Sequence, residues 1–205
     1  MYFFVYDNFN TANSTDAMTF LLHTKSQPTI SGKTVSAFSG NGKIVLQNIK
    51  GGDKIEAIGG VGKNFMVNGT QVSTDDGSSD GYWGRVEIST QNSSKNDVQL
   101  NAIYVTSTTN KTAYTATEIT GSNIVGALMG NTAAVFVEES VNYSGAINFS
   151  TAGAGDSIDY YVSGVAAGTW HVSVGTTTLT VTVAEGEGIL HFTAPSGLVS
   201  IAPVN

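Results

Sequence analysis

Along residues 177–183 the apolar Leu179, Val181 and Val183 alternate with Thr178, Thr180 and Thr182. Side chains two positions apart share a face of a strand, so this pattern predicts a strand with one wet face. Trp170, Val172 and Val174 repeat it, as do Ile158, Tyr160 and Val162, and then Leu190, Phe192 and Ala194. Glycine-rich turns such as GVAAG, VGTT and EGEG separate these runs. No segment carries a 3.6-residue apolar stripe, so no helix is expected. In the N-terminal half the pattern predicts strands at about 2–7, 17–24, 43–49, 54–58, 64–68, 82–90 and 97–107. The opening strand differs from the others: Tyr2, Phe4 and Tyr6 face one way while Phe3 and Val5 face the other. A strand apolar on both faces is normally covered on both. It is expected to be central to a two-layer sandwich or to pack against something upstream.

Charge divides the chain. All nine Lys and Arg residues, eight lysines and Arg85, lie between Lys25 and Lys111, where residues 1–111 also carry nine acids. Residues 112–205 hold seven acids and no Lys or Arg, which accounts for the net charge of −7. A shift this sharp predicts two modules, 1–111 and 112–205. The expected architecture is all-β: an antiparallel β-sandwich followed by a second, small acidic β-sandwich of roughly immunoglobulin size, about 100 residues. The charge also constrains partners. A module without cations repels nucleic acid and acidic glycans, and the lysines of the first module are dispersed in sequence. With no cysteine, disulfides and thiolate metal sites are excluded. No apolar run approaches the roughly 18 residues of a membrane span. The start, MYFFVYDNFN, has none of the features of a signal peptide and reads as a strand, as at the start of an excised or mature fragment.

The stretch AIGGVGKN at residues 57–64 approaches a phosphate-binding loop, but Ala57 stands where the motif needs its first glycine and Asn64 where it needs Ser or Thr. Such a loop works only at the N-terminus of a helix, and the run NFMVNG that follows is too short for one. The stretch is expected to be a turn between strands in which glycines adopt positive φ.

Several side chains are candidates for chemistry. Arg85 and Glu87 share a strand face and would suit a sugar hydroxyl and carboxylate, although a cross-strand ion pair is the simpler expectation. Trp83 with Tyr82, beside them, and Tyr161, opposite an apolar face, are candidate sugar-stacking rings. Asp75, Asp76 and Asp80 cluster in a glycine-rich loop whose oxygen-rich chemistry suits calcium; a solvated loop is the competing reading. His23, beside Leu21 and Leu22, is expected to be a hydrogen-bonded structural residue. His171 and His191 fall on polar strand faces and would meet only if their strands pair.

The ordered series YFFVYD, TFLLHT, PTISG, KIVLQNI, AIGGVG, NFMVNG and GRVE over roughly residues 1–107 resembles the β-sandwich region near the C-terminus of heparinase II/III-like polysaccharide lyases, a group that includes alginate and heparin lyases. The tail beyond residue 115, with GTWHVSVG and EGEGILHFTAPSG, is similar to the small β-module that follows in extended members. The resemblance implies a parent enzyme with an N-terminal toroid, absent from this sequence, that supplies catalytic residues, so no catalytic residue carries over. It implies framework roles for Asp7, His23, Gly59, Gly60, Gly62, Arg85 and Glu87. The expected function is thus a non-catalytic part of a secreted, periplasmic or cell-surface lyase of bacterial type, contacting polysaccharide. The alternatives are a stand-alone carbohydrate-binding module and an adhesin-type structural domain.

Overall fold

The structure is a computed structural model that describes all residues except 17, 68, 73–82, 91–93, 111, 139–140, 153–156 and 205. It is all-β: among the described residues there is no helix, and therefore none long and apolar enough to cross a membrane. The chain divides into two compact units, Met1–Ala113 and Tyr114–Asn205.

The first unit contains β1 (Tyr2–Asn10), β2 (Thr19–Thr24), β3 (Thr29–Ser31), β4 (Thr34–Ser39), β5 (Gly42–Lys50), β6 (Lys54–Gly59), β7 (Met66–Val67), β8 (Thr70–Gln71), β9 (Gly84–Ser89) and β10 (Asn96–Ser107). A five-stranded sheet in the order β1-β10-β5-β4-β3 and a three-stranded sheet in the order β2-β9-β6 form its two layers. β7 and β8 make a separate small hairpin. All these pairings are antiparallel. Strand alternation explains the core: Val35, Leu46 and Ile103 from the larger sheet meet Val86 and Ile88 from the smaller, with Val5, Phe20 and Leu22 packed around them. Burying such side chains fully contributes on the order of 1.5–3 kcal/mol each.

The opening strand does not occupy the expected central position. β1 stands at the edge of the five-stranded sheet, paired with β10 from Tyr2↔Tyr104 to Asn10↔Asn96. Val5 enters the core, whereas Phe3 is exposed. The strand expected at 64–68 shrinks to Met66–Val67, because the turn after Gly60 extends through Phe65.

The second unit contains β11 (Thr117–Gly121), β12 (Ile124–Met129), β13 (Thr132–Val137), β14 (Ile147–Thr151), β15 (Ile158–Ser163), β16 (Gly168–Val174), β17 (Thr177–Val183), β18 (Ile189–Ala194) and β19 (Gly197–Pro203). They form one nine-stranded sheet in the order β17-β16-β19-β14-β11-β12-β13-β15-β18. Its end strands, β17 and β18, approach each other, so the sheet curls into a nearly closed barrel. One pair, β13 with β15, is parallel. The inner faces are those the alternation predicts: Trp170, Val172, Val174, Ile158, Tyr160, Val162, Leu190, Phe192 and Ala194 are all buried in one cluster. The polar atoms carried inward are satisfied. Trp170 Nε1 donates to the Ala166 carbonyl (3.1 Å). The Tyr160 hydroxyl donates to the Pro195 carbonyl (2.9 Å) and lies 2.8 Å from Thr151 Oγ1. Desolvation by burial raises the Tyr160 pKa above its ordinary value of 10.0, and the Thr151 hydrogen bond opposes this only partly.

Candidate functional site

Two features converge on β2 in the first unit. On the face of the three-stranded sheet turned away from the core, antiparallel register sets His23 opposite Arg85 and Leu21 opposite Glu87, with Ile58 opposite Arg85 from the other side. These residues and the hairpin residues Met66 and Val67 line an open groove of about 510 Å³.

Arg85 organises that groove. Its Nε and Nη2 lie 2.8 and 2.6 Å from the same Oε1 of Glu87, while Nη1 donates to the Met66 carbonyl at 2.5 Å. The ion pair is therefore made along one strand, between residues two apart, and not across strands as expected. With side-chain exposures of 13% and 25%, Arg85 and Glu87 are well screened from solvent. All three guanidinium nitrogens are engaged, so the arginine acts as a strut holding the β7–β8 hairpin against the sheet. Lys54 and Glu56 form a second, exposed pair at 2.7 Å on β6.

Trp83 is not among the residues lining the groove. Its N–H donates to the Thr24 carbonyl (2.9 Å), its own carbonyl accepts from Gly60 N–H (2.7 Å), and its half-buried ring lies against Gly59. A Cβ on Gly59 would stand 2.5 Å from Cε3 and 2.8 Å from Cδ2 of that ring. AIGGVGKN is thus the end of β6 and the turn after it, with Gly60 and Gly62 at positive φ and no helix following. Tyr82, Asp75, Asp76 and Asp80 lie outside the described residues.

His23 is exposed on the groove face. It also borders a second cavity, of about 300 Å³, at the mouth between the two sheets. The cavity is lined by Ala37, Phe38, Ile44 and Val105 together with Lys25 and Lys43. Ser26 fastens the loop after β2 to this mouth, donating through Oγ to the Phe38 carbonyl (2.7 Å) and accepting from Phe38 N–H (3.1 Å). Lys43 Nζ stands 5.8 Å from the centroid of the Phe38 ring. Sequence reading missed this grouping because Lys25 and Lys43 look dispersed along the chain; only the β4–β5 hairpin, pairing Phe38 with Lys43, brings the second lysine to the end of β2.

In the second unit, Tyr161 stands opposite His191 and the two rings stack at 4.4 Å with an interplanar angle of 17°. Tyr161 is 42% exposed. Next along the same pair of strands, Thr193 Oγ1 donates to Asp159 Oδ1 at 2.8 Å. His171 lies on β16, whose partners are β17 and β19, so its strand does not pair with that of His191. Among the described residues no cluster of His, Asp and Glu is arranged to hold a metal ion.

The nine-stranded unit matches a known family over nearly its whole length. Residues 118–203 match the family model of the heparinase II C-terminal domain. The match falls on the acidic module and includes strands β12 to β19, together with the Tyr161–His191 stack. In the matched unit the exposed aromatic pair sits on the outside of a barrel whose interior is filled by Trp170, Tyr160 and Phe192. No curated protein matches the chain.

Proposed function

We propose that the chain is the non-catalytic C-terminal β-sandwich part of a secreted, periplasmic or cell-surface polysaccharide lyase, supporting a catalytic domain and contacting the polysaccharide. The observation that carries this reading is the heparinase II C-terminal domain at residues 118–203. The resemblance of residues 1–107 to the sandwich region of the same lyases extends the proposal to the first unit. β-Elimination needs a base for the C5 proton, an acid for the leaving oxygen and a group to neutralise the uronate carboxylate. Arg85, the cation best placed by sequence for the last role, has its donors committed to Glu87 and Met66. That commitment supports a framework role for it. Calcium at Asp75, Asp76 and Asp80 remains part of the proposal as an aid to acidic glycan binding.

The test combines affinity electrophoresis of the chain against neutral and acidic polysaccharides, with calcium and with chelator, and an ultraviolet assay for the unsaturated elimination product. Retardation by an acidic glycan without product is the expected result. Product formation by the chain alone would overturn the non-catalytic reading. A second reading, a stand-alone carbohydrate-binding module, is favoured by the exposed Tyr161–His191 stack. It predicts retardation by a neutral glycan that is lost in Tyr161→Ala.

A further inference from the structure

The cavity at the mouth between the two sheets of the first unit combines an apolar lining with basic groups. Ala37, Ile44 and Val105 come from three adjacent strands of the larger sheet, β4, β5 and β10, and face the end of β2. Val105 and Phe38 are 40% and 43% exposed, which leaves apolar surface open at the mouth. Lys25, Lys43 and His23 add basic groups to the lining, and no carboxylate side chain is among the described lining residues. The first unit as a whole carries equal numbers of acids and cations, so a wall with cations alone is a local segregation of charge.

We propose that this cavity binds one uronate residue of an acidic glycan, with the sugar's C–H face on the apolar wall and its carboxylate toward Lys43. This inference rests on the polysaccharide contact proposed above and gives it a location. Three properties agree with the occupant. A volume of about 300 Å³ is at the small end of ligand pockets, suited to a single sugar ring and too small for a folded partner. Sugar rings present apolar C–H faces that pack on apolar and aromatic surface, and their polar edges take hydrogen bonds. A lysine beside an aromatic ring is a compact, strongly hydrated charge with three rotatable donors, able to meet a carboxylate without the fixed fork of an arginine. The Lys43 ammonium already sits near Phe38, so the charge and the apolar wall are adjacent before ligand arrives. A neutral sugar would take hydrogen bonds from the lysines but no charge attraction, and a nucleic acid would need a longer basic track than three groups around one cavity.

The experiment is an amide-resolved NMR titration of the full chain with an alginate oligosaccharide and, separately, with the same oligosaccharide reduced at its carboxyl groups. Shifts at the amides of Ala37, Ile44 and Val105 with the first probe, absent with the second, are expected. Lys43→Gln should weaken the uronate-induced shifts about tenfold, the scale of one charge-assisted hydrogen bond, and Phe38→Ala should weaken them as well while the remaining spectrum stays dispersed. Octanoate, an acid with no sugar ring, serves as the third probe. Cavity shifts with octanoate but not with the uronate probe would overturn the assignment in favour of an aliphatic acid. Shifts confined to the Tyr161–His191 surface would overturn this site while preserving the glycan contact. No shift with the uronate probe, combined with no retardation by any polysaccharide, would remove the glycan contact itself.

Discussion

Asn48 on β5 donates to Asn101 on β10 through a 2.9 Å side-chain hydrogen bond at the one place where the register between the two strands slips, between Leu100 and Asn101. Both residues are buried. Asn48 also donates to the Lys50 carbonyl (3.1 Å) and accepts from Gly52 N–H (3.0 Å), so a single amide closes the chain's exit from β5. Asn48→Ala strands these partners in the interior. A loss of about 2–4 kcal/mol is expected from one unsatisfied group or two, read as a lower urea midpoint at unchanged slope.

Gly59→Ala introduces a methyl into the space filled by the Trp83 ring. Overpacking of this kind costs about 1–3 kcal/mol. Trp83 fluorescence should shift red as its ring is pushed toward water, while Trp170, buried in the other unit, should not change.

Arg85→Lys keeps the charge but cannot hold Glu87 and the Met66 carbonyl together, because an ammonium lacks the planar fork. Amide hydrogen exchange should accelerate at Met66, Val67, Thr70 and Gln71, with little change in β9 itself. Equal acceleration across the whole first unit would mean that the strut supports the sheet and not just the hairpin.

Tyr160 provides a pH test. Its pKa is raised by burial, so the folded state holds the phenol proton more tightly than the unfolded chain does. The corresponding stability is fully present below the unfolded value of about 10 and declines as pH rises from there through the higher folded value. Thermal melts of the second unit should therefore fall on the alkaline side. Tyr160→Phe should lower stability at neutral pH by about 1–3 kcal/mol, because the Pro195 carbonyl and Thr151 lose a partner, and it should flatten the alkaline decline.

Of the strands with one wet face, β4 and β14 were not singled out, whereas β15 to β18 were legible in the sequence, and their inward residues follow from period two alone. β12 was not, because all six of its residues are buried and a strand covered on both faces shows no alternation. β3 and β8 are too short to carry a period. The same logic separates the sites. Arg85 and Glu87 were readable as neighbours because they are two residues apart on one strand, whereas His23 and Lys43 meet at one cavity only through the packing of two sheets. Trp83 was read from the parity of its strand, which carries no information about a glycine pair on the adjacent strand that receives its ring.

β19 lies between β14 and β16 and pairs with both, from Ile147↔Ile201 to Thr151↔Gly197 on one side and from Trp170↔Pro203 to Val174↔Val199 on the other. Among the described residues it is also the last strand of the second unit. Without it, the ladder separates into the β16–β17 hairpin and the strands β14, β11, β12, β13, β15 and β18. Pairing of residues this far apart in sequence requires closure of long loops and is intrinsically slow. During synthesis, therefore, the second unit cannot complete its hydrogen-bonded ladder until Gly197–Pro203 has left the ribosome, and deleting that strand alone would remove the piece that joins the two parts of the sheet.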